Sequence, residues 1–122
     1  MHELGVTQQI VEAVIEHAAG ARVGRVVVEI GKLSAVLPDA VRFCFDLCCE
    51  GTALEGAALT ILEPPGRARC RACDAELALE RPFGRCACGS SDLAWIAGEE
   101  LRIRSITLLD EAPRPRAEGG PP

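Results

Sequence analysis

Apolar positions recur at helical spacing from Leu4 to Ala19. Val6, Ile10, Val14 and Ile15, with Val11 and Ala18 beside them, form one stripe, and Gly20 is a natural stop. The period then changes. From Arg25 to Ile30 the chain alternates, with Val26, Val28 and Ile30 on one face, which predicts a strand. Pro38 opens a second helix, since proline is tolerated in a first turn. Val41, Cys44, Phe45 and Cys48 share a face of it, and Gly51 closes it. Ala57–Leu62 and Leu101–Leu109 read as two further strands. In the last one the parity slips between Leu101/Ile103 and Ile106/Leu108, which a bulge near Arg104-Ser105 would reconcile.

Glu63-Pro64-Pro65-Gly66 is a break that neither a helix nor a strand interior tolerates. Two helices and two strands need another partner to close a layer, so the strand at Leu101–Leu109 is expected to return to the first sheet. What lies between becomes an insertion. The expected fold is a small α+β domain of residues 1–66 and 98–111, with a sheet of about three strands and two helices on one face. Residues 67–97 form the inserted domain. The tail at 112–122, rich in Pro and Gly, is expected to be disordered.

Composition narrows the function. The 122 residues are 48% apolar and 25% charged, a globular balance. Aromatics are 3% with no Tyr, too few for base-stacking platforms. The net charge of −5 argues against a general nucleic-acid or membrane footprint. Residues 1–66 carry most of it, with 4 basic against 9 acidic side chains. No apolar run reaches membrane-spanning length, and the first residues carry no basic leader, so the chain is expected to be cytoplasmic.

Seven cysteines in a reducing compartment read better as metal ligands and buried thiols than as a disulfide framework. Cys70-x2-Cys73, twelve residues, then Cys86-x-Cys88 is the clearest chemistry. Disulfides or buried thiols are the alternatives to a metal. About 31 residues cannot bury a stable core unaided, whereas zinc on four thiolates contributes roughly 10–16 kcal/mol in small zinc peptides. The runs Leu77/Leu79 and Leu93/Trp95 are expected to form the hairpin walls of a zinc ribbon. Arg67, Arg69, Arg71 and Arg85 are placed to offset the net −2 of such a centre. The Cys-x-Cys pair is tighter than the usual spacer, which puts Cys88 under strain as a ligand. Cys44, Cys48 and Cys49 read as small buried hydrophobes.

Met1-His2-Glu3 has chemistry only at a free terminus. There the Met1 amine, the His2 amide and the His2 imidazole bind one metal in adjacent rings, and the Glu3 amide or carboxylate completes the set. Such nitrogen-rich tetragonal donors suit Ni(II) or Cu(II). On the residues alone, a histidine near a terminus is ordinarily a solvated side chain. His17, near the end of the first helix, is assigned no metal role.

Taken together, these features resemble the HypA/HybF family of hydrogenase maturation factors. The resemblance rests on Met1-His2-Glu3-Leu4, Val28-Glu29-Ile30-Gly31-Lys32-Leu33-Ser34, Phe43-Cys44-Phe45-Asp46, the run Gly51–Ala57 and the cysteine pairs. It covers residue 1 to about 110. It implies a nickel metallochaperone, not an enzyme, with Ni(II) as cargo on His2 and with Met1 and Glu3 as co-ligands. It also implies structural zinc on Cys70, Cys73, Cys86 and Cys88. The implied partners are a nickel-handling GTPase, the [NiFe]-hydrogenase large subunit and, in some members, urease accessory proteins. The family's second pair is normally Cys-x-x-Cys, and Asp39 is shifted from an acidic position used near nickel in some members, so Asp39 is not counted as a ligand. Two other readings compete: a zinc-ribbon module contacting nucleic acid or protein, and a thiol redox switch on Cys70 and Cys73. No Ser/His/Asp set, phosphate loop or carboxylate pair suggests catalysis.

Overall fold

The computed structural model describes residues 2–109; Met1 and residues 110–122, with the expected disordered tail, lie outside the described residues. The elements run α1 (His2–Ala18), β1 (Val23–Ile30), α2 (Pro38–Cys49), β2 (Ala58–Leu62), β3 (Gly66–Cys70), β4 (Glu76–Leu79), β5 (Leu93–Ala97) and β6 (Leu101–Leu108). The two three-stranded sheets are ordered β2-β1-β6 and β4-β3-β5. The fold is α+β, and β6 does return to the first sheet, beside β1. Contacts divide the chain into two compact units. Among the described residues, one holds 2–27, Leu37–Thr60 and 103–109; the other holds Val28–Val36 and Ile61–Arg102.

In the first unit, α1 packs on α2. Thr7, Val11, Val14 and Ala18 are the buried positions of α1, so the stripe sits slightly to one side of the expected one and leaves Ile15 exposed. Thr7 is fully buried because its hydroxyl donates to the Glu3 carbonyl oxygen at 2.6 Å. Ala19 and Gly20 end the helix with φ of 51° and 95°. On α2, the buried stripe is Val41, Phe45 and Cys49. Cys49 therefore completes the face assigned to Cys44 and Cys48, which are only half-buried. Burial raises the Cys49 thiol to about 11, so it stays protonated. In β6, Ile103 and Ile106 are the half-buried positions. They lie three apart, so the alternation changes parity where the slip was expected.

The second unit corrects the expected hairpin. β4 and β5 do not pair with each other; both pair antiparallel with β3, a strand that the sequence pattern does not announce. Ala68 stands opposite both Leu77 and Trp95. Along β3, Gly66, Ala68 and Cys70 point inward while Arg67 and Arg69 point out. Leu33, Ala68 and Leu79, with Leu77 and Leu93 against them, make the small core. Buried Glu29 accepts from Arg102 Nε at 2.6 Å, which pairs a charge that burial would otherwise penalise.

Three backbone segments meet where the insert leaves and re-enters the chain. The Gly31 amide donates to the Glu100 carbonyl at 2.7 Å, Lys32 to Pro64 at 3.1 Å, and Leu33 to Gly98 at 2.7 Å. No side chain fits between them. A Cβ on Gly31 would strike the Gly98 carbonyl, and one on Gly98 would come within 2.6 Å of the Gly66 Cα. Gly98 also has a φ of 111°, which favours glycine.

Gly31→Ala is therefore expected to cost stability on the order of 1–3 kcal/mol, the range for overpacking. Gly5→Ala, whose Cβ would meet open space, should be neutral or slightly stabilising. Urea unfolding of the two variants beside wild type checks the contrast.

Candidate metal centre

Two short turns carry the four cysteines of the insert. In the first, the Cys70 amide donates to the Ala75 carbonyl at 2.8 Å, and the Asp74 amide donates back to Cys70 at 2.8 Å. In the second, the Cys86 amide donates to the Ser90 carbonyl and the Gly89 amide to Cys86, both at 2.8 Å. The second turn closes one residue earlier than the first. Each turn has one left-handed residue, Asp74 at φ 67° and Gly89 at φ 97°. The shorter turn absorbs the missing residue of the Cys-x-Cys pair, so Cys88 reaches the same place as the other three.

The result is a compact set of sulfurs. Cys70 Sγ lies 3.6 Å from Cys88 Sγ, and Cys73 Sγ lies 3.5 Å from Cys86 Sγ. All four lie within 4.8 Å of one another. A tetrahedron with zinc–sulfur bonds of about 2.3 Å has edges of about 3.8 Å, so the donor set fits zinc in number, type and size. Cys70 and Cys86 are buried; Cys73 and Cys88 face solvent. The backbone amides favour a first thiolate in this cluster, and the neighbouring sulfurs oppose a second. The Cys73 and Ala72 amides draw Cys70 down to about 6. The Ala75 amide also favours the Cys73 thiolate, but the Cys86 and Cys88 sulfurs prevail and push it up to about 12. Four thiolates cannot share this space without a cation between them.

The arginines are occupied differently from expectation. Arg67 pairs with Glu76; Arg69 pairs with Glu76 at 3.1 Å and Asp74 at 3.6 Å. Arg71 pairs with Asp92 at 2.8 Å, and Arg85 donates to the Gly89 carbonyl at 2.9 Å. Their partners are carboxylates and a carbonyl that fix the strands and the second turn. Three of the four are thus matched by carboxylates, which weakens the local support for nucleic-acid binding.

At the other candidate site, α1 reaches back to His2, which is exposed. Glu3 Oε2 accepts the Leu37 amide at 3.1 Å. Leu37 is the N-cap of α2 and its side chain caps nothing; the Glu3 carboxylate takes the amide of the N-cap residue itself, at the positive end of the helix. The Leu37 amide holds the Glu3 carboxyl below its ordinary value. The sequence gives no local signal for this contact, which spans 34 residues. Asp39 is engaged by Arg42 at 2.7 Å. His17 is exposed in the last turn of α1. The Met1 amine lies outside the described residues.

An α+β body carrying a four-sulfur centre on an inserted three-stranded sheet defines a metal-binding protein with a built-in structural site. A family model described as "Hydrogenase/urease nickel incorporation, metallochaperone, hypA" matches residues 1–108. The chain belongs to this HypA family. It is 64% identical over 108 residues to a hydrogenase maturation factor HypA of Trichormus variabilis, covering 88% of this chain and 96% of that one. It is 45% identical over 109 residues to that of Geotalea uraniireducens, covering 88% and 99%. The solution structure of the Ni metallochaperone HypA from Helicobacter pylori superposes with a TM-score of 0.60 at 26% identity, covering 88% of this chain and 97% of that one.

Glu3→Gln keeps an acceptor for Leu37 but removes the charge at the start of α2. It should lower the urea midpoint slightly at neutral pH. Because the folded carboxyl is held below its unfolded value, its contribution is present above about pH 4–5 and is lost as pH falls. The difference between Glu3→Gln and wild type should therefore shrink in acid. A difference that is constant with pH would contradict the charge argument.

Proposed function

We propose that this protein carries Ni(II) at its N-terminus and delivers it for [NiFe]-hydrogenase maturation, with a zinc ion fixed in the insert. Family membership over residues 1–108 is the observation that carries this reading. Nickel is cargo. Its donors are the Met1 amine, the His2 amide and imidazole, and Glu3 through its amide or carboxylate. Cys70, Cys73, Cys86 and Cys88 hold the zinc, which cross-links the two turns and supplies no catalysis. The work is delivery and not catalysis.

Helix geometry supports the cargo site. The first amides of an α-helix have no intrahelical acceptor, so a metal that takes up those of His2 and Glu3 breaks no helix hydrogen bond. Adjacent chelate rings need a flatter backbone than a helix has, so the first turn must unwind. Gly5 lowers the cost of that step. An open terminal site exchanges quickly, whereas four sulfurs on one ion retain it. The two sites thus suit release and retention. The recipients are the nickel-handling GTPase and the hydrogenase large subunit, with urease accessory proteins as further clients, and the setting is the cytoplasm. Among the described residues no helix is long and apolar enough to cross a membrane. Residues 67–97 act as a separate zinc-dependent domain within the body of residues 1–66 and 98–111.

Two experiments test the two metals separately. Cys70→Ala should abolish stoichiometric zinc and melt the insert while α1, α2 and the first sheet persist, read by metal analysis and amide exchange. Cys88→Ser should lose zinc as fully as Cys86→Ser, because the shorter turn seats both. Zinc should also dissociate as pH falls, since protons compete for the thiolates. For nickel, His2→Ala and a single Gly placed before Met1 should each remove the tight Ni(II) site in an absorbance titration, leaving zinc and fold intact. Unchanged nickel binding in the Gly-extended protein would mean that the terminal amine is not a ligand.

A further inference from the structure

Helix α2 has two apolar faces. One is the buried stripe of Val41, Phe45 and Cys49. At about 100° per residue, Phe43 and Leu47 lie about 40° apart and about 160° from Phe45, on the opposite side. Both are exposed, at 76% and 58%. Ala40, Cys44 and Cys48 continue this second stripe toward the buried side, half-buried. Leu37, 62% exposed, stands at its start. A surface helix normally turns polar residues outward. Single exposed apolar side chains are ordinary, but a run along one helix marks a contact surface.

Charge restricts the occupant. Asp39, Asp46 and Glu50 fall in one wedge beside Phe43, about 20–60° from it. Arg42 neutralises Asp39 at 2.7 Å, while Asp46 and Glu50 are exposed and have no cationic partner among the described residues. Residues 1–66 as a whole hold 9 acidic and 4 basic side chains. A second copy of this chain would bring the same sign of charge to the contact. A groove that is apolar along its floor and edged with Lys or Arg on one side matches both features, in the manner of a helix laid into a groove.

We propose that the outer face of α2, centred on Phe43 and Leu47, docks into an apolar, basic-edged groove of the protein that receives the nickel. This rests on the delivery reading above. Position supports it within the first unit: Leu37, at the start of the stripe, gives its amide to Glu3, the neighbour of His2. Docking along α2 therefore brings the recipient beside the segment that carries His2.

The test uses untagged full-length protein, with the purified cognate GTPase and the purified hydrogenase large-subunit precursor as probes in calorimetry. Phe43→Ser/Leu47→Ser changes only exposed positions, so circular dichroism and zinc content should match wild type. Affinity for at least one probe should fall at least tenfold, as expected for an exposed aromatic anchor. Nickel stoichiometry should not change. Asp46→Lys/Glu50→Lys should weaken binding less, and chiefly at low salt. The proposal is overturned if the double Ser variant binds both probes as tightly as wild type, or if wild type binds neither. It is equally overturned if sedimentation shows a wild-type dimer that the variant dissolves, since the occupant is then a second copy. If wild type takes up no terminal nickel while the Ser variant still loses docking, the interface stands and the nickel reading falls.

Discussion

The insert is spliced into the chain at a point where three backbones touch. Gly31, Gly66 and Gly98 have no side chains to hold those segments apart, and the amides of residues 31–33 bond to carbonyls on both linkers. Everything in the second unit hangs from that crossing. β3 starts at Gly66 and β5 ends one residue before Gly98, so the ends of the insert are pinned side by side. The loop-closure entropy of a segment of this length is then met locally, by backbone hydrogen bonds, before any metal is bound. Leu33 comes from the same crossing and sits in the small core against Ala68 and Leu79. The insert thus has two fastenings, backbone at its base and sulfur at its tip.

The sulfur fastening explains why so short a sheet needs so little apolar mass. Five apolar side chains form its core and its packed fringe. The outer face of β3 carries arginines, each tied to a carboxylate on a neighbouring strand or turn. Exposed pairs of this kind contribute little individually, but they fix which strand lies beside which. The burden of stability falls on the metal, and the ion pairs serve register.

Much of this was legible in the residues, for identifiable reasons. α1 announces itself by period because it has one dominant buried face, and β1 by the alternation of Val26, Val28 and Ile30. The returning strand β6 followed from the need to close a layer, and the cysteine spacing pointed to one cluster. β3 was missed because Pro64 and Pro65 precede it and Arg67 and Arg69 dominate its pattern, although Gly66, Ala68 and Cys70 alternate properly. On α2, two apolar stripes blur the period, and the buried one was drawn a step away, through Cys44 and Cys48 instead of Cys49. The glycine crossing and the Glu3–Leu37 contact join residues far apart in sequence, and no local pattern encodes such contacts. The strain expected at Cys88 was an inference from spacer length alone; a turn can shorten along with its spacer, as the Cys86–Ser90 bond shows.

The uneven burial of the four sulfurs has a kinetic consequence. Cys70 and Cys86 each head a turn and lie inside it, while Cys73 and Cys88 face water. A chelator or an oxidant approaching a zinc held there meets one outer sulfur from each turn. Exchange must therefore begin at Cys73 or Cys88, with the ion still tethered by the inner pair. A site that loosens from its rim in this way resists competing metals for as long as the inner pair holds, and it can reclose before the ion escapes. That order of events favours retention of the resident ion over its replacement.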